Sequence, residues 1–133
     1  LVKNKRVYML PSKNMKKKYI IKKKSEIDDI FKEQIRSSNS YFTIILKRNK
    51  NNNANFRFAM SIGRKYGNSV ARNKIKRQIR SIIRINQNYI NNNCEFVIVI
   101  KPKANELSFE EINKSILDLL KKLKVMEKKN ESN

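Results

Sequence analysis

The side chains best placed to do chemistry in this sequence are guanidinium and ammonium groups, and they are clustered. Between Gly63 and Arg84 the chain reads GRKYGNSVARNKIKRQIRSIIR, with eight positive charges and no carboxylate. The stretch holds both glycines and five of the nine arginines. A planar guanidinium fork can grip two phosphate oxygens at once, so this composition suits a polyanion. Arg72, Asn73, Lys76, Arg77, Arg80 and Arg84 fall on an arc of roughly 140° when wound as a helix. Ala71, Ile75, Ile79, Ile82 and Ile83 step by three or four along the adjoining side, which predicts a buried stripe. Asn73 sits inside the arc, where an amide can bond a base edge or a 2′-hydroxyl. Ahead of the helix, Gly63 and Gly67 bracket Arg64-Lys65-Tyr66. Glycine permits positive φ and a close approach of backbone to ligand. Asn68 or Ser69 is placed to cap the helix, and its first free N–H groups attract anions.

Other chemistries lack their residues. There is no histidine, and the single cysteine, Cys94, has no imidazole partner, which excludes a Cys–His nucleophile. No Cys/His cluster offers a zinc site. Carboxylates occur at Glu26, Asp28, Asp29 and Glu33 and then not until Glu95, so the basic region has no grouped acids for a two-metal nuclease. This polypeptide is expected to position a substrate rather than transform it.

The totals agree. Among 133 residues, 32 are basic and 11 acidic, a net charge of +21. Self-repulsion of that size is naturally offset by a polyanion. Residues 34–94 carry thirteen Lys or Arg and no acid, whereas a merely solvated surface mixes signs. Nucleic acid is the first candidate and an anionic membrane surface the second. A membrane-surface helix does not need a paired glycine turn ahead of it. No apolar run approaches the ~18 residues of a membrane span, and no signal-peptide core is visible. A cytoplasmic protein with no membrane partner is expected.

The elements that must hold the basic stretch can be read around it. Residues 1–18 suggest a basic, flexible arm, 19–126 a single α+β domain, and 127–133 a frayed tail. Ser25 is placed as an N-cap, with Ile27, Ile30, Phe31 and Ile35 at helical spacing and an end near Ser37-Ser38-Asn39. Tyr41–Arg48 and Phe56–Ile62 read as strands and are expected to pair as an antiparallel hairpin. Phe56, Phe58, Met60 and Ile62 share one face of the second strand. Arg57, Ala59 and Ser61 share the other, expected to be wet or ligand-facing. Glu95–Lys101 is apolar throughout, as in a strand buried on both faces, and Pro102 ends it. Ser108 and Glu111 make a capping box ahead of a last helix with Ile112, Ile116, Leu119, Leu120 and Leu123 inside.

The basic stretch also resembles the signature of the bacterial ribonuclease P protein component. That family carries a basic pair, Gly-Asn, a small spacer, then Arg-Asn-Arg-x-Lys-Arg-x-x-Arg. Here it stands as Arg64-Lys65, Gly67-Asn68, Arg72-Asn73-Lys74, Lys76-Arg77 and Arg80. Lys74 is the one change in the Arg-Asn-Arg core. Met9-Leu10-Pro11 resembles the family's opening, so residues 1–8 are expected to be an upstream extension, and LSFEE at 107–111 echoes the start of its last helix.

The resemblance implies an α-β-β-(β)-α-β-α sandwich with a mostly antiparallel central sheet and a left-handed βαβ crossover. It implies a subunit that binds a catalytic RNA and precursor tRNA, with Mg²⁺ in the RNA-containing complex and cleavage of the tRNA 5′ leader done by RNA. RNA contacts are implied at Arg64, Lys65, Asn68, Arg72, Asn73, Lys74, Lys76, Arg77, Arg80 and Arg84. A leader cleft is implied at Ile27, Phe31 and Ile45. Ile27 and Ile45 stand where the family commonly has Phe and Tyr, so grip on the leader is expected to weaken or shift to neighbours such as Phe42 or Phe58. The alternative is a structural RNA-binding protein of ribosomal type.

Overall fold

The computed structural model describes residues 15–49 and 55–126. The expected arm up to residue 14 and the tail from residue 127 lie outside them. The elements, in chain order, are α1 (Lys24–Phe31), β1 (Arg36–Ser38), β2 (Phe42–Arg48), β3 (Arg57–Ile62), α2 (Ser69–Ile85), β4 (Cys94–Ile100) and α3 (Phe109–Lys122). They form an α+β fold around one four-stranded mixed sheet of order β1-β2-β4-β3.

The expected β2–β3 hairpin is not formed. β4 lies between them, antiparallel to β2 and parallel to β3. The reason is in the sequence of β4 itself. Cys94, Phe96, Ile98 and Ile100 are buried on one face and Val97 on the other, so only a central position removes both faces from water. The β3–α2–β4 connection is therefore a parallel crossover, and α2 is its helix.

The sheet separates two cores. On one face Phe42, Ile44, Leu46, Phe58, Phe96 and Ile98 meet Ile75, Ile79, Ile82 and Ile83 of α2, and Ile112, Ile116, Leu119 and Leu120 of α3. On the other, Ile45, Ala59 and Val97 meet Ile21 and Ile30 beneath α1. Each buried isoleucine of α2 contributes about 1.5–3 kcal/mol. Each like-charged pair four residues apart on its outer side costs about 0.2–0.5 kcal/mol. Burial wins and fixes which side of α2 faces out. The Ser108–Glu111 capping box of α3 is present in both directions.

The first helix differs from its expected form. It starts at Lys24, with Lys23 as N-cap and no side-chain cap. Ser25 lies inside it, and Asp28 pairs with Lys24 instead. It stops at Phe31 rather than near Asn39 because the Arg36 guanidinium donates to the Phe31 and Glu33 carbonyls, at 3.0 and 2.8 Å. Arg36–Ser38 then pairs with β2 as an edge strand. At the opposite edge, Ile20 bridges Phe58 in parallel, Tyr19 packs on Phe56, and Met15 is buried. The folded body thus includes residues ahead of Tyr19.

Candidate nucleic-acid interface

The turn ahead of α2 is held from three sides. Arg64–Tyr66 form a single 3₁₀ turn. The Tyr66 ring is buried in the main core, and burial pushes its phenol up from its usual pKa. Asn105 Nδ2 donates to the Tyr66 carbonyl at 3.4 Å, tying the turn to Pro102–Glu106. Gly67 has φ +156°, and an added Cβ would meet Ala71 Cβ at 3.2 Å. Gly63 has an ordinary φ of −98° and open space beside it, so only Gly67 is required by the backbone. Asn68 caps α2, its side chain accepting from Ala71 N at 2.9 Å. Arg64, Lys65 and Asn68 are left exposed at the helix start, where first-turn N–H groups have no helical acceptors.

The basic arc has two rows. Arg72, Lys76, Arg80 and Arg84 are half-buried at its inner border, and Asn73, Lys74 and Arg77 are fully exposed. Burial, then the charge of Arg77, pulls the Arg80 guanidinium below its usual pKa. Arg72 Nη1 donates to the Gly67 carbonyl at 2.7 Å, so this residue braces the turn as well as facing outward. Val70, 76% exposed, stands one turn from Asn73 on the same outer side, an apolar contact that charge patterning does not reveal. Four salt bridges occur among the described residues, and none uses Arg64, Lys65 or a basic residue of α2. No carboxylate among the described residues neutralises the arc.

The other face of the sheet leaves one row of residues partly open beside α1. Strand register places Ser38, Thr43, Val99 and Ser61 in one row across all four strands. Val99, Thr43 and Ser61 are half-buried and Ser38 is exposed. In the next row α1 covers Ile45, Val97 and Ala59, while Arg36 at the edge is exposed. Phe31 at the end of α1 is 37% exposed and Ile27 is half-buried, but Ile45 is 1% exposed and closed off beneath the helix. Phe42 and Phe58 do not replace the missing aromatics: both are fully buried in the opposite core. Ser61 is followed directly by Ile62 and the Gly63 turn, so the open row and the basic turn meet at one end of β3.

The face bearing Arg57 is only in part the open surface its residue types suggest, since Ser61 alone of its three residues stands in the open row. Ala59 is buried under α1, and Arg57 is held by two carboxylates. Its Nη2 donates to Glu26 Oε2 of α1 at 3.0 Å, and its Nε to Glu95 Oε2 of β4 at 2.9 Å, with a second short hydrogen bond from Nη2 to that oxygen. The Arg57 hydrogen bond, opposed by burial, holds the Glu26 carboxyl below its usual range. Glu95 is nearly buried. A lone acid opening an apolar strand is the available signal in the sequence, but its partner becomes visible only once β3 and β4 are known to be neighbours.

Known proteins share this arrangement. The family model described as Ribonuclease P matches residues 15–124. The ribonuclease P protein component of Acholeplasma laidlawii is 43% identical, over 86% of this chain and 97% of its own length. That of Bacillus cereus strain Q1 is 35% identical, over 81% and 93%. The solved RNase P protein of Staphylococcus aureus superposes with a TM-score of 0.75 at 30% identity, covering 81% of this chain and 97% of the other. With the signature on α2, the fold around it and these relatives in agreement, the chain belongs to the family of ribonuclease P protein components.

Proposed function

We propose that this chain, as the protein component of a ribonuclease P ribonucleoprotein, docks the catalytic RNA on the α2 arc. The same subunit holds the 5′ leader of precursor tRNA along the groove beside α1. The observation that carries the reading is the arc from Arg64 to Arg84, in which no basic residue forms a salt bridge among the described residues. In the groove, Phe31 supplies the exposed ring on which a base stacks, an interaction worth about 1–3 kcal/mol. Ser38, Thr43 and Ser61 supply hydroxyls in place of the stacking surface that Ile27 and Ile45 do not offer. The product is a trimmed tRNA 5′ end, and the place of work is the cytoplasm.

The protein's share of the reaction is binding and orientation. Charge neutralisation by the arc lets two polyanions approach, and the groove holds the leader so that the scissile phosphate is presented to the RNA. No three His, Cys, Asp or Glu residues gather to hold a metal ion among the described residues. In this proposal Mg²⁺ belongs to the RNA-containing complex. Reconstitution with a cognate catalytic RNA at low Mg²⁺ tests the reading. Precursor-tRNA affinity or cleavage rate rises on adding the protein; an unchanged rate and affinity would overturn it.

A further inference from the structure

Helix α1 is short, and its two ends are fastened to opposite sides of the sheet. Near its N-terminus, Glu26 accepts from Arg57 of β3. At its C-terminus, the carbonyls of Phe31 and Glu33 accept from Arg36 of β1. Sheet order β1-β2-β4-β3 puts those two strands at the two edges. The helix therefore lies across the sheet, with an arginine tie at each end and Ile27 and Ile30 pressed down between them. Its apolar footing is small: of the helix's own side chains, only Ile30 is fully buried. One such side chain sets depth but poorly resists rotation or sliding, because apolar attraction has no direction. Charge-assisted hydrogen bonds are directional.

Arg57 is the stronger tie. Its guanidinium joins α1 to β3 and β4 at once, and the nearly buried Glu95 keeps it facing Glu26. It lies away from the open row: register sets Arg57 opposite Glu95, two positions beyond Ala59 and four from Ser61. It is thus poorly placed to touch a strand lying in the groove. We infer that Arg57, with Glu26 and Glu95, is a positioning device that sets the α1 axis and so the placing of Phe31 at the groove. Arg36 is its counterpart at the other end. The inference rests on the leader-groove reading given above.

The experiment uses the assembled ribonucleoprotein and two substrates, precursor tRNA with a long leader and with a single-nucleotide leader. Glu26→Gln keeps the side chain's shape and removes its charge. It is expected to lower long-leader affinity on the order of threefold to tenfold. Single-nucleotide-leader affinity and assembly with the catalytic RNA should not move. Glu26→Asp should recover part of the loss. In a Phe31→Ala background, Glu26→Gln should cost little more, because the ring it positions is gone. Equal losses on both substrates, or full additivity with Phe31→Ala, would overturn the positioning role. If Phe31→Ala itself has no leader-dependent effect, the groove reading is what fails. Arg36→Ala is the companion variant if Glu26→Gln unfolds, with the same expected pattern.

Discussion

Arg72 reaches back five residues to donate from Nη1 to the carbonyl of Gly67, 2.7 Å away. The bond makes one residue serve two ends: it closes the turn carrying Arg64 and Lys65, and it starts the inner row of the arc. Arg77, exposed on the outer row, contributes to the arc alone. Arg72→Ala is therefore expected to lose stability and RNA affinity together. A hydrogen bond from a charged group contributes about 1.5–3 kcal/mol. Arg77→Ala should lower affinity with thermal unfolding unchanged. Melting curves beside RNA titrations check the pair, and matching unfolding temperatures for the two variants would contradict the bracing role.

The two glycines of the turn should respond differently to alanine. Gly67→Ala forces a side chain into φ +156° and against Ala71 at 3.2 Å, a strain of about 1–3 kcal/mol. Gly63→Ala meets nothing within 4 Å and should leave chemical denaturation within about 0.5 kcal/mol of the parent.

An arc free of salt bridges predicts strong sensitivity to salt. Removing one phosphate-binding side chain should reduce the slope of log affinity against log salt by about 0.7–0.9. Arg77→Gln and Arg80→Gln should each flatten the slope by one such step, measured by RNA titration across a salt series. A slope unmoved by either change would mean that α2 faces something other than phosphate.

The Glu26–Arg57 pair sets a pH dependence with a definite sign. The Glu26 carboxyl is held below its usual 4.5 by the Arg57 hydrogen bond. The folded state therefore binds the proton less readily than the unfolded state. The stability this adds is complete above the unfolded value and is lost as pH falls through the folded one. Because Glu26 is partly exposed, the gain is small. Urea midpoints measured from pH 6 to pH 3 should fall more for the parent than for Glu26→Gln.

Cys94 lies wholly inside the core, and desolvation pushes its thiol up to about 12. The thiolate is the reactive form, so alkylation at pH 8 should track global unfolding rather than proceed in the folded protein. Labelling in increasing urea checks this, and rapid modification without denaturant would contradict the buried placement.

Much of the molecule is legible where one helix or strand decides its own pattern. The isoleucine ladder of α2 and the Ser108–Glu111 box of α3 need no partner to be read. The basic signature needs only its own spacing. What cannot be read locally depends on neighbours. The hairpin expectation rests on sequence adjacency, although the two-sided burial predicted for residues 95–101 already demands a strand on each side of β4. The end of α1 is set by Arg36, a residue that a helical pattern would simply absorb. Ile45 enters the expected cleft only through the family resemblance, which gives a position and not what lies on top of it. The Arg57 tie is hidden for the same reason: its two acids are 31 and 38 residues away in sequence.

The central placing of β4 also dictates an order of events during synthesis. β2 and β3 leave the ribosome early, yet neither pairs with the other; each waits for the strand that fills the gap between them. A nascent chain that has reached Ile90 already displays the whole of α2 but lacks the strand that joins β3 to the β1–β2 pair. Long-range pairing of this kind is slow and leaves apolar surface open while it waits. For a chain carrying +21, any polyanion that binds the folded form more tightly than the unfolded one adds stability by mass action.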